Sequence, residues 1–232
     1  MNNRELFTRF IYCLLGWGTV GIVYQYTGQV TGQAHILLPS KLDNAVPFSP
    51  DAIWLYLSFF LFIPLGYFLC PLRKARPLMY AMQLCALVSG AVYLCYPTTM
   101  LYHDYDLSTL SGLALSALMN IDSPQNLLPS LHVSLTLVVL NALWSTQQKF
   151  RTVLAVIWAL AICASVLVLK RHLFIDVVTG ALTACGALVI VHTAKFVLKR
   201  NTNEWINLSD CFHVSGCGRR RFGDSQNTKR NR

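Results

Sequence analysis

Six apolar runs, each close to the length that crosses a bilayer as helix, set the terms for this chain. They lie at 10–26, 53–70, 77–96, 129–144, 152–169 and 174–197, separated by short polar stretches. About 20 consecutive apolar residues span the hydrocarbon core as a helix. The expected fold class is all-α: an integral membrane bundle of six transmembrane helices over residues 1–198. A basic, disordered tail is expected over 199–232. Composition agrees, since only 12% of the residues are charged, about half the fraction in a soluble domain.

The first run stays rich in bulky aromatics to its end, so it reads as an uncleaved span rather than a signal peptide. Gly28, Gly32, Pro39, Pro47 and Pro50 break the loop that follows. Between the third and fourth runs, Leu107–Ile121 is apolar but too short to cross. It reads as a short helix at the interface or packed on the bundle, capped by Asp106 or Ser108. Pro129 suits the first turn of the fourth span, where its missing N–H costs nothing.

The formal charge of +9 resembles a nucleic-acid signal until the charges are placed. With the N-terminus inside, 16 of the 19 basic residues fall in inner segments. Only Lys41, Lys170 and Arg171 fall outside, together with Asp43, Asp51, Asp104, Asp106, Asp122 and Asp176. The positive-inside rule then puts both termini in the cytoplasm, and the expected partner is a lipid bilayer, not nucleic acid. Cys13, Cys70, Cys85, Cys95, Cys163 and Cys185 lie in or beside apolar runs, where cysteine acts as a small hydrophobe. Cys211, His213 and Cys217 form a trio without a fourth ligand, which reads as free thiols and implies no metal site.

Two polar motifs remain, and both open on the same, outer face. The first is Asn126-Leu127-Leu128-Pro129-Ser130-Leu131-His132; the second is Lys170-Arg171-His172-Leu173-Phe174-Ile175-Asp176. A histidine with a hydroxyl or carboxylate companion is costly near lipid and marks function. His172 and Asp176 are four apart, which on a helix places them on one face. There a carboxylate fixes the imidazole tautomer and leaves the other ring nitrogen free to attack. Lys170 and Arg171 bring positive charge for an anionic group, although Arg171 reads equally as a side chain snorkelling to the headgroups. Ser130 and His132 stand at a helix N-terminus, an anion-binding position, with Ser130 as hydrogen-bond donor or simple cap and His132 as proton donor.

Pro129-Ser130-Leu131-His132 and His172-x-x-x-Asp176, at the heads of two spans, resemble the type 2 phosphatidic acid phosphatase superfamily. The leucine inside the first motif resembles the inositolphosphotransferase branch that includes inositol phosphorylceramide synthase. Asp122–Asn126, Ser165–Lys170, Tyr96-Pro97-Thr98 and Ala45–Phe48 resemble that branch too, so the likeness covers about residues 40–195. It implies a lipid-phosphate phosphatase or phosphotransferase working at the outer face through a phosphohistidine, without metal or cofactor. His172 would be the nucleophile, Asp176 its orienter and His132 the acid; Ser130 and Lys170 would hold the phosphate.

Two departures weaken the match. Arg76-Pro77 imitates the end of an earlier motif of these phosphatases but falls on the wrong face. The arginine usual shortly after Pro97-Thr98 is missing, and His103 is the nearest substitute. The thinner phosphate clamp sustains an alternative: an inactive relative serving as a lipid-binding or partner subunit. Water or an alcohol as acceptor is left open.

Overall fold

The structure is a computed structural model that describes residues 2–29 and 33–214, with side chains as far as residue 197. It divides into two compact units, Met1–Val191 and His192–Arg232. The chain is mostly helical. In order, α1 is Asn3–Gln29, α2 Lys41–Ala45, α3 Ile53–Leu57, α4 Phe59–Leu69 and α5 Leu72–Cys95. Then come α6 Leu110–Ile121, α7 Leu131–Leu143, α8 Lys149–Val168 and α9 Phe174–Val214. Two two-residue strands, β1 (His35–Ile36) and β2 (Thr98–Thr99), pair in parallel and tie the loop after α1 to the loop after α5.

Among the described residues, five helical stretches are long and apolar enough to cross a membrane: Asn3–Gln29, Pro50–Leu69, Leu72–Cys95, Lys149–Val168 and Phe174–Val197. The expected fourth span is different. Its helix α7 has 13 residues and so is about 20 Å long, less than the hydrocarbon thickness. It need not face lipid, because nine of those residues are buried and α4, α5 and α8 surround it. α7 is the axis of the core, where Leu135, Val138 and Val139 meet Phe62, Ile63, Met82 and Ile162.

Several boundaries move for local reasons. The basic turn expected at Arg73–Arg76 is the start of α5, which begins at Leu72 and contains Pro77. The interfacial helix is present as α6, but its cap is Thr109, whose hydroxyl accepts from the Gly112 N–H at 3.0 Å; Asp106 binds Ser108 instead. The last helix runs past the expected end at 197. The tail expected to be disordered from residue 199 lies on α9 as far as Val214, and beyond it outside the described residues. Cys217 lies there as well.

At one end of the core, three basic side chains close helix C-termini. Arg9 Nη1 donates to the Tyr67 and Cys70 carbonyls at 2.7 and 2.5 Å, and Arg151 Nη1 to Leu69 at 3.0 Å, all at the end of α4. Lys74 Nζ reaches the Asn141 and Trp144 carbonyls at 3.3 and 2.7 Å, at the end of α7. The last carbonyls of a helix have no partner within it and carry the negative end of its dipole, so cations are favoured there. Arg9, one of the 16 basic residues assigned to the inner side, is buried for this reason.

Candidate active site

The site sits at the opposite end of α7. Ser130 is its N-cap, the side chain accepting from the Val133 N–H at 3.4 Å, so the cap reading of this serine holds. His132 follows in the first turn, its ring tilted against those of Tyr56 and Phe59 at centroid distances of 4.3 and 4.4 Å. Burial among aromatics leaves His132 Nε2 without a hydrogen-bond partner.

His172 reaches the same place from another direction. α8 ends in a Schellman turn: the Lys170 N–H donates to Leu167 and the Arg171 N–H to Val166, at 3.1 and 3.0 Å. Lys170 takes the left-handed position that glycine usually fills, with φ of 51°, at a cost of about 1–2 kcal/mol for a residue with a side chain. The turn ends with His172, which therefore precedes α9 rather than standing on it. The expected helical stacking of His172 over Asp176 is corrected accordingly. Asp176 is in the first turn of α9, and its Oδ2 accepts from the Leu173 N–H at 2.8 Å. The same oxygen lies 3.5 Å from His172 Nδ1, longer than a hydrogen bond but close enough to pair. Asp176 is fully buried, and its Oδ1 has no partner.

The rings of His132 and His172 lie 6.0 Å apart, centroid to centroid. Asp176 stands on the Nδ1 side of His172, and His132 is the neighbouring imidazole. The Ser130 N–H donates to the Asp176 carbonyl at 3.1 Å, fixing the two helix heads to each other.

The cations are already engaged. Lys170 Nζ donates to the Asp43 carbonyl. The Asp43 carboxylate accepts from the Phe174 N–H at 2.7 Å and from Ser40, closing the capping box of α2. Burial works to raise the Asp43 carboxyl, but the Ser40 and Phe174 hydrogen bonds and the Lys170 charge outweigh it and hold it low. Arg171 does not snorkel. It is buried, forms a 2.5 Å ion pair with Asp122 and stacks over Tyr102 at 4.6 Å. Asp122 also accepts from the Tyr24 hydroxyl. Burial pushes its carboxyl upward, and Arg171, Tyr24 and His132 together overcome this and keep it below the ordinary range.

His103 is not drawn to the histidine pair. It stacks on Phe48 at 5.2 Å and shares with Lys170 a cavity of about 480 Å³, walled by Asp43, Asn44 and Leu173. A second cavity, of about 320 Å³, includes His132 and Asp122 in its wall. Arg76 is exposed and bonds Tyr80 on its own helix. Asp122, Tyr24 and Asp43 are site residues that the sequence did not single out. The sequence places Asp43 and Asp122 on the same face as the motifs, and Asp122 opens one of the stretches of resemblance, but it gives none of the three a role, and Tyr24 carries no signal. Among the described residues no group of His, Cys, Asp and Glu is placed to hold a metal ion.

Fold and site together define a class: a multi-pass helical protein with two histidines converging at the heads of two helices. Compared with known proteins, the chain matches no family model, no curated protein and no solved structure.

Proposed function

We propose that the protein is a membrane phosphotransferase or phosphatase that acts on a lipid phosphate through a phosphohistidine. The observation that carries this reading is the 6.0 Å approach of His132 to His172, with Asp176 behind the latter's Nδ1. In the proposed reaction His172 Nε2 attacks phosphorus and the ester P–O bond breaks. The departing alkoxide takes a proton from His132. Water or an alcohol then attacks phosphorus, giving its proton back to His132, and the P–N bond breaks to restore His172. Ser130 and the N-terminus of α7 would receive a phosphoryl oxygen. On this reading the chain belongs with the superfamily its motifs resemble.

Six crossings with both termini in the cytoplasm remain part of the proposal. Supporting it, α7 runs from the Ser130–Asp176 contact at one end of the core to the Lys74 cap at the other, short as it is. The charge split then puts the histidines on the outer side.

The engaged cations favour a second reading, a lipid-binding subunit without turnover, since Lys170 and Arg171 have partners before any phosphate arrives. Trapping decides between them. Brief exposure to a phosphate-labelled lipid, then alkaline quenching to preserve a phosphoramidate, should leave label on the parent protein and none on His172→Ala. Absence of label from the parent under turnover conditions favours the binding subunit.

A further inference from the structure

We propose that the 320 Å³ cavity beside His132 is the seat of a single hydrocarbon chain, so that the substrate is a lipid phosphate with one chain rather than two. This rests on the proposed function above, because it places the chain of that same substrate. The wall is built from α1, α3, α4, α6 and α7, with Trp17, Tyr56, Phe59, Phe60, Leu118 and Leu135 giving an apolar, largely aromatic surface. One position in the wall is polar and unsatisfied: His132, whose buried Nε2 has no hydrogen-bond partner. Asp122 also faces the cavity, but Arg171 matches its charge. An apolar chamber with an unpartnered imidazole nitrogen in its wall fits an amphiphile whose tail fills the chamber and whose phosphate ends at the histidine.

The flank of the cavity faces the surroundings of the core. Phe60 and Ile121, both in its wall, are 48% and 77% exposed, so a chain can enter sideways from the bilayer. Its volume is near the lower end for small-molecule sites, which matches one chain better than two. On α1 the wall includes Gly21, where an added Cβ would meet nothing within 4 Å. Gly18 is equally open but is not part of the wall. Gly21 is itself exposed, so it stands at the open rim of the chamber, where a side chain can be added without a clash.

Gly21→Leu should fill the chamber, with Gly18→Leu as its match for helix propensity and surface hydrophobicity. Turnover is compared on phosphate monoesters carrying one long chain, one short chain or two long chains. The parent should prefer the single long chain, and Gly21→Leu should lower kcat/KM on it by about tenfold or more, as loss of chain contacts in an apolar pocket does. The deficit should shrink as the chain shortens, and Gly18→Leu should match the parent. Equal behaviour of the two leucine variants, or a parent preference for two chains, overturns the assignment.

A second measurement needs no turnover. In His172→Ala, a single-chain phosphate brominated along its chain should quench Trp17 saturably, an effect lost in Trp17→Phe and in Gly21→Leu. If the parent turns over none of the esters, the enzyme reading fails; saturable quenching then still upholds the chain site, and its absence ends it.

Discussion

Ser130 and Asp176 meet main chain to main chain, the Ser130 N–H donating to the Asp176 carbonyl at 3.1 Å. The two motifs that carry the candidate chemistry are thereby registered before their side chains are considered. Ser130 caps α7 and positions His132 two residues on; Asp176 opens α9 and stands behind His172. One turn further along α9, Gly180 lets the helix lie against the Ser130 carbonyl.

A Cβ on Gly180 would stand 2.5 Å from the Ser130 carbonyl oxygen and 3.2 Å from Val133 Cβ, so one helix head must move. Gly180→Ala should cost about 1–3 kcal/mol in stability, the range for overpacking a filled core. Its effect on turnover should be larger, since a shift of about 1 Å at reacting groups costs about 100-fold. Gly186→Ala, on the same helix with nothing within 4 Å, should stay close to the parent. Thermal unfolding and phosphate-release rates on the three proteins check this. A Gly180→Ala protein as active as Gly186→Ala would mean that the register of the helix heads is not critical.

What the sequence revealed follows from the range of each interaction. Apolar run length is local, and Ile53–Cys70, Pro77–Tyr96 and Thr152–Leu169 appear as helices with ends displaced by a few residues. The pairing of the two motifs was legible because each carries its own helix-head signal. The turn that delivers His172 was hidden, because Lys170 occupies a left-handed position that sequence reading assigns to glycine. The partners of the cations were beyond reach as well. Arg171 finds Asp122 across 49 residues, Arg9 finds Cys70 across 61, and Lys170 finds Asp43 across 127. No local pattern encodes such contacts. The short α7 was overestimated because a helix enclosed by protein needs no lipid-matching length.

Reporters fused within the chain test the orientation. The 16-to-3 division of basic residues places Asp104 outside, and Lys149 and Arg200 inside. A reporter active only in the cytoplasm should therefore be silent after Asp104 and active after the other two. Activity after Asp104 would move the histidines to the cytoplasmic side and overturn the proposed outer-face site.

Asp122 should govern the acid limit of stability. Although burial opposes it, the Arg171 charge and the Tyr24 hydroxyl depress its carboxyl below the ordinary value. A depressed carboxyl contributes stability that is complete above the unfolded value, about 3.9, and is lost as pH falls through the lower folded value. Asp122→Asn should therefore be less stable at neutral pH, by about 3 kcal/mol if the buried pair behaves as such pairs do. It should also lose less on acidification than the parent. Unfolding midpoints in detergent from about pH 7 down to about pH 3 measure both. Parallel acid losses in the two proteins would show that other carboxylates set the limit.

The division of labour between the histidines is open to a leaving-group test. His172→Ala should abolish turnover and phosphoenzyme together, since the proposed P–N bond is lost with its imidazole. His132→Ala should slow an alkyl phosphate, whose alkoxide needs a proton to depart, by about 10²–10⁴-fold, the usual worth of a general acid. With a nitrophenyl phosphate, whose phenolate leaves unprotonated, the same variant should lose far less. Asp176→Asn should be intermediate with both substrates, since it keeps the carbonyl contact to Ser130 but favours the wrong tautomer of His172. Equal losses of His132→Ala on the two leaving groups would remove its role as acid. A phosphoenzyme surviving in His172→Ala would exchange the two roles, a swap that the 6.0 Å separation of the rings makes geometrically feasible.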